Sequence, residues 1–465
     1  MMRYDVIIVG GGPAGLFAAY ELPEFDIGLF EMGRDVDERV CPDTQRGYCT
    51  KCYPCNITSG IGGGGGLSDG KLIFPNEKYP SSLTVGGNFL EYISKNELIK
   101  KMKKVEEIFN ENGTDNKKIY GLDEEVNKLL KKSNSAGIEF VPLIQKHIGS
   151  DEMPKVIKNI EKKLLEDDVH IYTRERVTDI DSVEKKIYTE KYEEFEYENL
   201  ILAVGRVGSR DLETWVDKLG IKKKDCGRRR VDIGVRVEVP ASIMEDVVSV
   251  NYDPKFRIMT KKHDDHVRTF CTCPNGWVIR ENYPSFSLVN GHSKANEKTT
   301  NTNFALLNTV EFTTPFDKPN RWGELFGLGT TMLGGNNPIV QRLGDLKNGR
   351  RSTKKRIEEN VNVSPTLKSA VPGDISLSYP GRVVDNLIDA LQQLNKVIPG
   401  VSEESTLLYA PEVKFYSLKL ELSKYMETNI PNIYAIGDGA GVSRGITGAA
   451  VSGLLAAEGI KSKYK

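Results

Sequence analysis

No apolar run in this 465-residue chain approaches the roughly 20 residues that a bilayer-spanning helix needs. Charge of one sign is also missing: 64 basic residues stand against 65 acidic ones, so no strong field for nucleic acid or an anionic membrane is expected. Strand-like sequence begins by residue 4, which leaves no room for a secretory leader and makes a cytoplasmic setting the expectation. His147, His170 and His292 stand alone, and no Ser, His and Asp share a recognisable context, so nucleophilic hydrolysis has no support. There is no internal repeat, and no low-complexity segment beyond one glycine run. Cysteine is sparse and odd in number, seven in all with four between residues 41 and 55, which suits thiols or metal ligands better than a secreted disulfide framework. The length allows a large core and two or more domains.

What is present begins at the first residues. The apolar run 6–9 leads into Gly10, Gly12 and Gly15 in G-x-G-x-x-G spacing, and an Ala-rich helical stretch follows. A strand, a tight turn and a helix N-terminus suit a pyrophosphate: Gly10 permits the turn, Gly12 lets the backbone approach the phosphates, and Gly15 lets helix and strand pack closely. The helix N-terminus then turns its dipole and N–H groups to the anion. A second strand over 26–30 ends at Glu31, where a carboxylate can accept hydrogen bonds from a ribose. This half suits NAD or FAD alike.

The far end separates them. An apolar strand in 432–439 delivers Asp438, and the small-residue segment 445–457 starts a helix. This arrangement resembles the second FAD motif of the two-dinucleotide-binding-motif flavoproteins. The resemblance implies that Asp438 binds the ribityl-pyrophosphate region and that the backbone at Ile446 and Thr447 lies toward the flavin. Residues 199–205, a strand ending Ala-Val-Gly at Gly205, resemble the Ala-Thr-Gly segment of the same family, with Val204 in place of threonine. By the same resemblance the backbone at Val177 meets the adenine. The fold implied is α/β, with a Rossmann-like, discontinuous FAD-binding domain of the glutathione-reductase type. No second G-x-G-x-x-G follows a strand, so a built-in nicotinamide domain is not expected.

The layout predicts three parts. Residues 1–75, 151–210 and 400–465 form the FAD-binding domain, 76–150 a helical insertion with helices over 97–109 and 123–132, and 211–399 a mainly β substrate domain. Strands are expected at 170–173, 187–197 as a hairpin, 200–204, 231–239, 267–271, 277–280 and 285–289, and helices at 153–165 and 385–397.

Cys41, Cys49, Cys52 and Cys55 carry the densest chemistry. Four thiolates complete a ligand set, and the C-x2-C-x2-C core matches ferredoxin-type spacing for a [4Fe–4S] cluster, with Cys41 closing the coordination. Zinc also takes four thiolates, and a redox dithiol or unligated thiols are further readings. Behind them Gly62 to Gly66 reads either as a linker or as backbone laid against a planar ring, which only residues without side chains approach so closely. Lys71 reads either as a positive charge near the ring or, as the commoner case, as a surface lysine. Cys271 and Cys273 form a second thiol pair, read as structural packing in a hairpin, as a site near the substrate, or as extra ligands. His263-Asp-Asp-His266 offers metal-ligand types but reads first as a solvated turn, and Lys222 to Lys224 with Arg228 to Arg230 read as a solvated basic face or as a patch for an anionic substrate or acidic electron carrier.

Taken together, the cysteine stretch, Ser68-Asp69-Gly70-Lys71-Leu72, Asp232-Ile-Gly-Val-Arg-Val-Glu238 and Arg268-Thr-Phe-Cys-Thr-Cys-Pro274 resemble a group of FAD-dependent dehydrogenases without assigned substrates. Where relatives have Gly-Gly-Ala-Gly, this chain has Gly for Ala. A more distant likeness is to geranylgeranyl reductases. The expectation is an FAD-dependent oxidoreductase acting at flavin N5 on a small-molecule substrate, with ferredoxin or NAD(P)H as external electron carrier. A helix starting near Gly445 would stabilise the reduced N1/C2=O edge. Other readings are an FAD-dependent RNA- or protein-modifying enzyme, and a non-catalytic flavin electron carrier. Nucleic-acid binding is otherwise not expected.

Overall fold

The structure is a computed structural model that describes residues 2–42, 50, 52–122, 124–191, 193–224, 230–283, 285–416 and 418–464. The chain forms two compact units, the first from Met1–Lys118, His147–Cys226 and Ser417–Lys465, the second from Ile119–Lys146 and Gly227–Tyr416. Among the described residues no helix is long and apolar enough to cross a membrane.

The first unit is built on parallel strands in the order His170–Thr173, Ile27–Glu31, Met2–Val9, Glu194–Leu202 and Ile433–Ala435. The antiparallel strands Lys186–Thr189 and Val177–Asp181 extend it from the start of Glu194–Leu202. Ile7, Ile8, Ile27, Leu29, Leu200, Ile201, Leu202 and Ala435 are all fully buried. Continuous apolar strands of this kind belong to a parallel sheet covered on both faces. Register then sets the geometry of the edge: Val9 lies opposite both Phe30 and Leu202, and Leu202 lies opposite Ala435. Three strands from distant parts of the chain therefore stop at one level.

The helix Pro13–Tyr20 after the first strand packs on the closing helix Ile446–Lys461. The closing helix is apolar all round and buried along nearly its whole length, as a helix inside a core must be. The crossing is backbone to backbone. A Cβ at Gly453 would lie 2.3 Å from the Ala14 carbonyl oxygen and 2.9 Å from the Ala18 nitrogen.

The second unit is an eight-stranded sheet in the order Val371–Pro372, Ile339–Arg342, Leu407–Lys414, Arg230–Pro240, Asn301–Glu311, His266–Cys273, Lys255–Met259 and Glu139–Val141. All its pairings are antiparallel except the first. A separate hairpin joins Trp277–Asn282 and Ser287–His292.

Several boundaries differ from expectation. The segment 76–150 is not one helical insertion: Lys95–Phe109 belongs to the first unit, while Glu125–Ser135 and the strand Glu139–Val141 belong to the second, where the strand pairs with Lys255–Met259. The second unit also runs on to Tyr416, because Leu407–Lys414 pairs inside its sheet with Arg230–Pro240. The hairpin around 187–197 forms, but its second strand continues unbroken to Leu202. Two strands, Asn301–Glu311 and Leu407–Lys414, and the helix Pro319–Leu333 were not anticipated.

Two helical glycines, one at this crossing and one away from it, are expected to behave oppositely. Gly329 sits in Pro319–Leu333 with open space where its Cβ would be. Gly329→Ala is expected to stabilise the protein by about 0.5–1 kcal/mol through helix propensity. Gly453→Ala, with the same propensity gain, is expected to destabilise it by about 1–3 kcal/mol through overpacking. Thermal denaturation of the two variants checks this, and a Gly453→Ala that melts higher than the parent contradicts the crossing.

Candidate cofactor-binding site

The first turn shows why its glycines are needed, and the reasons are not the same at each. Gly10 has φ +115, donates its N–H to the Phe30 carbonyl at 2.8 Å, and would place a Cβ 2.6 Å from the Ala203 oxygen. At Gly15 a Cβ would lie 2.1 Å from the Gly10 oxygen. Both positions are closed by the protein's own backbone. Gly12, the N-cap of Pro13–Tyr20, is different: its φ of −78 and ψ of 179 suit any L-residue, and the nearest atom to its Cβ position is the Gly63 Cα at 3.9 Å. The fold alone does not demand glycine there.

Glu31 ends the second strand buried, and its carboxylate accepts three backbone N–H groups. Gly11 donates to Oε2 at 2.8 Å, and Gly33 and Gly60 donate to Oε1 at 2.8 and 2.9 Å. A carboxylate has about four acceptor positions, so roughly one is left over. The side chain expected to meet a ribose thus also ties the glycine turn to two loops. The partner that sequence reading missed is Arg39. It is buried and donates Nε to the Asn56 carbonyl, Nη1 to Ile61 and Nη2 to Ile57, at 3.0, 2.7 and 2.8 Å. Burial lowers its pKa to about 10, against the opposing pull of Glu31 and Cys55. Arg39 lies in a short polar stretch with no periodicity to mark it; a single buried arginine is found only through its partners.

The Ala203 to Gly205 segment is enclosed between the two glycine turns. Ala203 donates to the Val9 carbonyl at 2.9 Å and faces Gly10, while a Cβ at Gly439 would lie 2.0 Å from the Val204 oxygen. The Val204 side chain packs beneath Gly208, which explains how an apolar residue fits there. Gly205 has open space at its Cβ position. Asp438 is partly buried; its Oδ1 accepts from Ser443 Oγ at 2.7 Å and from the Gly445 N–H at 3.4 Å, and Oδ2 lies 4.0 Å from Arg206 Nε. Desolvation raises the Asp438 pKa, partly offset by Arg206, Ser443 and Gly445.

Ile446 and Thr447 open the closing helix, next to Gly445 at φ +144. Thr447 Oγ1 accepts the Ile73 N–H at 3.2 Å, and Ile446 packs where a Cβ at Gly65 would lie, 3.0 Å away. The glycine run is thus not a linker. Gly63–Gly66 makes one helical turn after Gly62, whose N–H is held by the Gly11 carbonyl at 2.7 Å, and it lies against the starts of both helices. A further segment joins this group: a Cβ at Gly448 would lie 2.0 Å from the Gly86 oxygen, and Arg444 donates its N–H to that oxygen. Val177 is buried at the start of its strand, just beyond Arg174 and Glu175, whose N–H groups are held by the Gly33 and Glu31 carbonyls at 2.6 and 3.0 Å.

Cys41, Cys52 and Cys55 are each partly exposed, and Cys49 lies outside the described residues. Among the described residues these thiols do not gather with other ligands within the span of one ion. Lys71 corrects an expectation: its side chain is 8% exposed and pairs with the equally buried Asp69 at 2.9 Å. His263 and Asp265 are engaged by Asp385 and Arg382, and both side chains are mostly buried rather than solvated. Of the basic face, Lys223 and Lys224 pair with Asp217 and Glu91, whereas Arg228 and Arg229 lie outside the described residues.

Arg39→Lys keeps the charge but gives one ammonium to three carbonyls that the planar guanidinium serves together. It is expected to cost about 1–3 kcal/mol through unsatisfied buried carbonyls. Urea unfolding of the variant measures this, and an unchanged midpoint would show that the knot over 56–61 does not depend on Arg39.

Comparison with known proteins adds to this geometry. Residues 230–415, nearly all of the second unit's long segment, match the family described as FAD-dependent protein, C-terminal domain-like. An uncharacterized protein of Clostridium beijerinckii is 27% identical, over 98% of this chain and 81% of its own. Among solved structures, glycine oxidase from Geobacillus kaustophilus aligns at 12% identity and TM-score 0.39 over 99% of this chain and 95% of its own. L-proline dehydrogenase from P. horikoshii aligns at 10% identity and TM-score 0.40 over 99% and 94%, and no activity is carried over from either. The match of residues 230–415 supports an FAD-dependent oxidoreductase.

Proposed function

We propose that the first unit binds FAD across its three in-register strand ends, and that the protein passes hydride or electrons between a small-molecule substrate and an external carrier, NAD(P)H or a ferredoxin. The observation that carries this is Gly12. Gly10 and Gly15 are explained by protein contacts, whereas a Cβ at Gly12 would meet the Gly63 Cα only at an ordinary 3.9 Å, in an ordinary backbone conformation at a helix N-terminus. Glycine at such a place suits a ligand that approaches the backbone closely.

In this reading the diphosphate lies at the turn of Gly10, Gly12 and Gly15, and the spare acceptor position of Glu31 takes a ribose hydroxyl. The backbone at Val177 meets the adenine, Gly205 and Asp438 face the ribityl-pyrophosphate region, and the backbone at Ile446 and Thr447 lies toward the ring. The bound flavin supplies two-electron chemistry at N5 and one-electron transfer. The N-terminus of Ile446–Lys461 favours negative charge beside it. Cys41, Cys49, Cys52 and Cys55 are proposed as ligands of an iron–sulfur cluster, supported by their spacing, with zinc as the alternative. A reducing, cytoplasmic setting suits these thiols.

Gly12→Ser keeps a good N-cap while adding a side chain at a position the protein itself leaves unclashed. It is expected to weaken FAD retention roughly tenfold or more while leaving the flavin-free protein's melting temperature unchanged. Flavin content after desalting measures the first quantity and calorimetry of the stripped protein the second; wild-type FAD retention by the variant sinks the assignment. For the cysteines, anaerobically prepared protein is expected to contain iron and acid-labile sulfide. Stoichiometric zinc without sulfide would replace the cluster, and the absence of both metals would remove the ligand role.

A further inference from the structure

The second unit contains a buried charge arrangement that the FAD reading does not use. Arg236 is fully buried in the middle of Arg230–Pro240. Its Nε donates to Asn303 Oδ1 at 2.7 Å, and its Nη2 donates to the Cys271 carbonyl at 2.7 Å and to Cys273 Sγ at 3.0 Å. The guanidinium fits only because position 291 is glycine, where a Cβ would lie 2.0 Å from Nη2. A buried cation needs a counter-charge. The nearest carboxylate is Glu412, 4.0 Å from Nη1, and Glu412 is already bound by Lys414 at 2.7 Å. One carboxylate faces two cations, and the Cys273 sulfur accepts a hydrogen bond from the guanidinium, which also interacts with the Cys271 side chain. Burial works against the charge of Arg236, yet its pKa stands above the ordinary arginine value because Cys273, Cys271 and Glu412 face it.

The second cysteine is placed for reaction. Cys271 and Cys273 lie two apart in His266–Cys273, where the pairing with Asn301–Glu311 is irregular between Phe270 and Cys273. The two Sγ atoms nevertheless lie within 4.8 Å of each other. Cys271 is partly exposed while Cys273 is buried. Cys271 also holds a φ of +49, a conformation that a residue with a Cβ seldom adopts, and such strain collects at functional positions.

We propose that Cys271 and Cys273 form a redox-active dithiol that exchanges with small-molecule disulfides, with Arg236 holding Cys273 as the thiolate. The accessible Cys271 sulfur attacks one sulfur of the external disulfide, forming a mixed disulfide and releasing one thiol. The Cys273 thiolate then attacks the Cys271 sulfur of that mixed disulfide, closes the Cys271–Cys273 bond and releases the second thiol. The two cysteine sulfurs give up two electrons and the external disulfide takes them; the Cys271 proton goes to one released thiol, and the other leaves as a thiolate that takes its proton from water. A buried thiolate beside a cation suits the resolving step, since the thiolate is the attacking species.

The test uses full-length reduced protein exposed to oxidised glutathione under native conditions, quenched and digested with trypsin. Arg268 and Arg280 flank a peptide, 269–280, that carries both cysteines and no others. The expected result is loss of two hydrogens from this peptide, reversed by dithiothreitol, and faster in native than in urea-unfolded protein. Cys273→Ser is expected to accumulate a glutathione adduct on Cys271, and Cys271→Ser to leave Cys273 unmodified. A native peptide that stays a dithiol, one that keeps a lasting glutathione adduct, or closure no faster than in the unfolded chain would each overturn the proposal.

Discussion

Three parallel strands that end at one level are the constraint on which the first unit depends. Val9, Leu202 and Ala435 share a register, so the turns that follow them meet edge to edge. Those turns approach so closely that Gly10 and Gly439 nearly touch the carbonyls of Ala203 and Val204. Side chains there would hold the strand ends apart. The glycines therefore serve first to bring backbone to backbone, and the dinucleotide reading follows from what remains open after those contacts are made.

A second principle is shared by both units: buried charge placed where it organises loops or thiols. Glu31 gathers three amides from separate segments, and Arg39 gathers three carbonyls, so each leaves few polar groups of its loop unsatisfied. Arg236 in the second unit joins a strand, an asparagine of its neighbour and a cysteine. Removing one partner from such an arrangement is more damaging than the net strength of its bonds suggests, because the other partner stays buried and unmet.

Much of this was legible locally. The strand, glycine turn and helix at the N-terminus follow from spacing within one short segment, and the helices Lys95–Phe109 and Met153–Glu166 from apolar periodicity. The helix Pro319–Leu333 was not, because three internal glycines argue against a helix on propensity. Gly323 packs tightly against Phe415 and Val231, and Gly327 against Phe286, so tertiary contact overrides the propensity. Arg236 was also hidden. An arginine alternating with valines reads as the solvent face of a strand, and it is buried only because the strand is covered on both sides.

The sequence by itself determined which residue types are offered to the proposed dinucleotide: the glycine spacing, the carboxylate after the second strand, and Asp438 at the end of the last. These are properties of short segments, where backbone sterics and period decide the outcome. Only the tertiary structure decided that Gly12, unlike Gly10 and Gly15, has no backbone pressed into its Cβ position, that Glu31 binds three loops, and that Cys273 lies against a buried arginine. Each of those depends on contacts between segments far apart in the chain, which parallel register and antiparallel pairing create and no local pattern encodes.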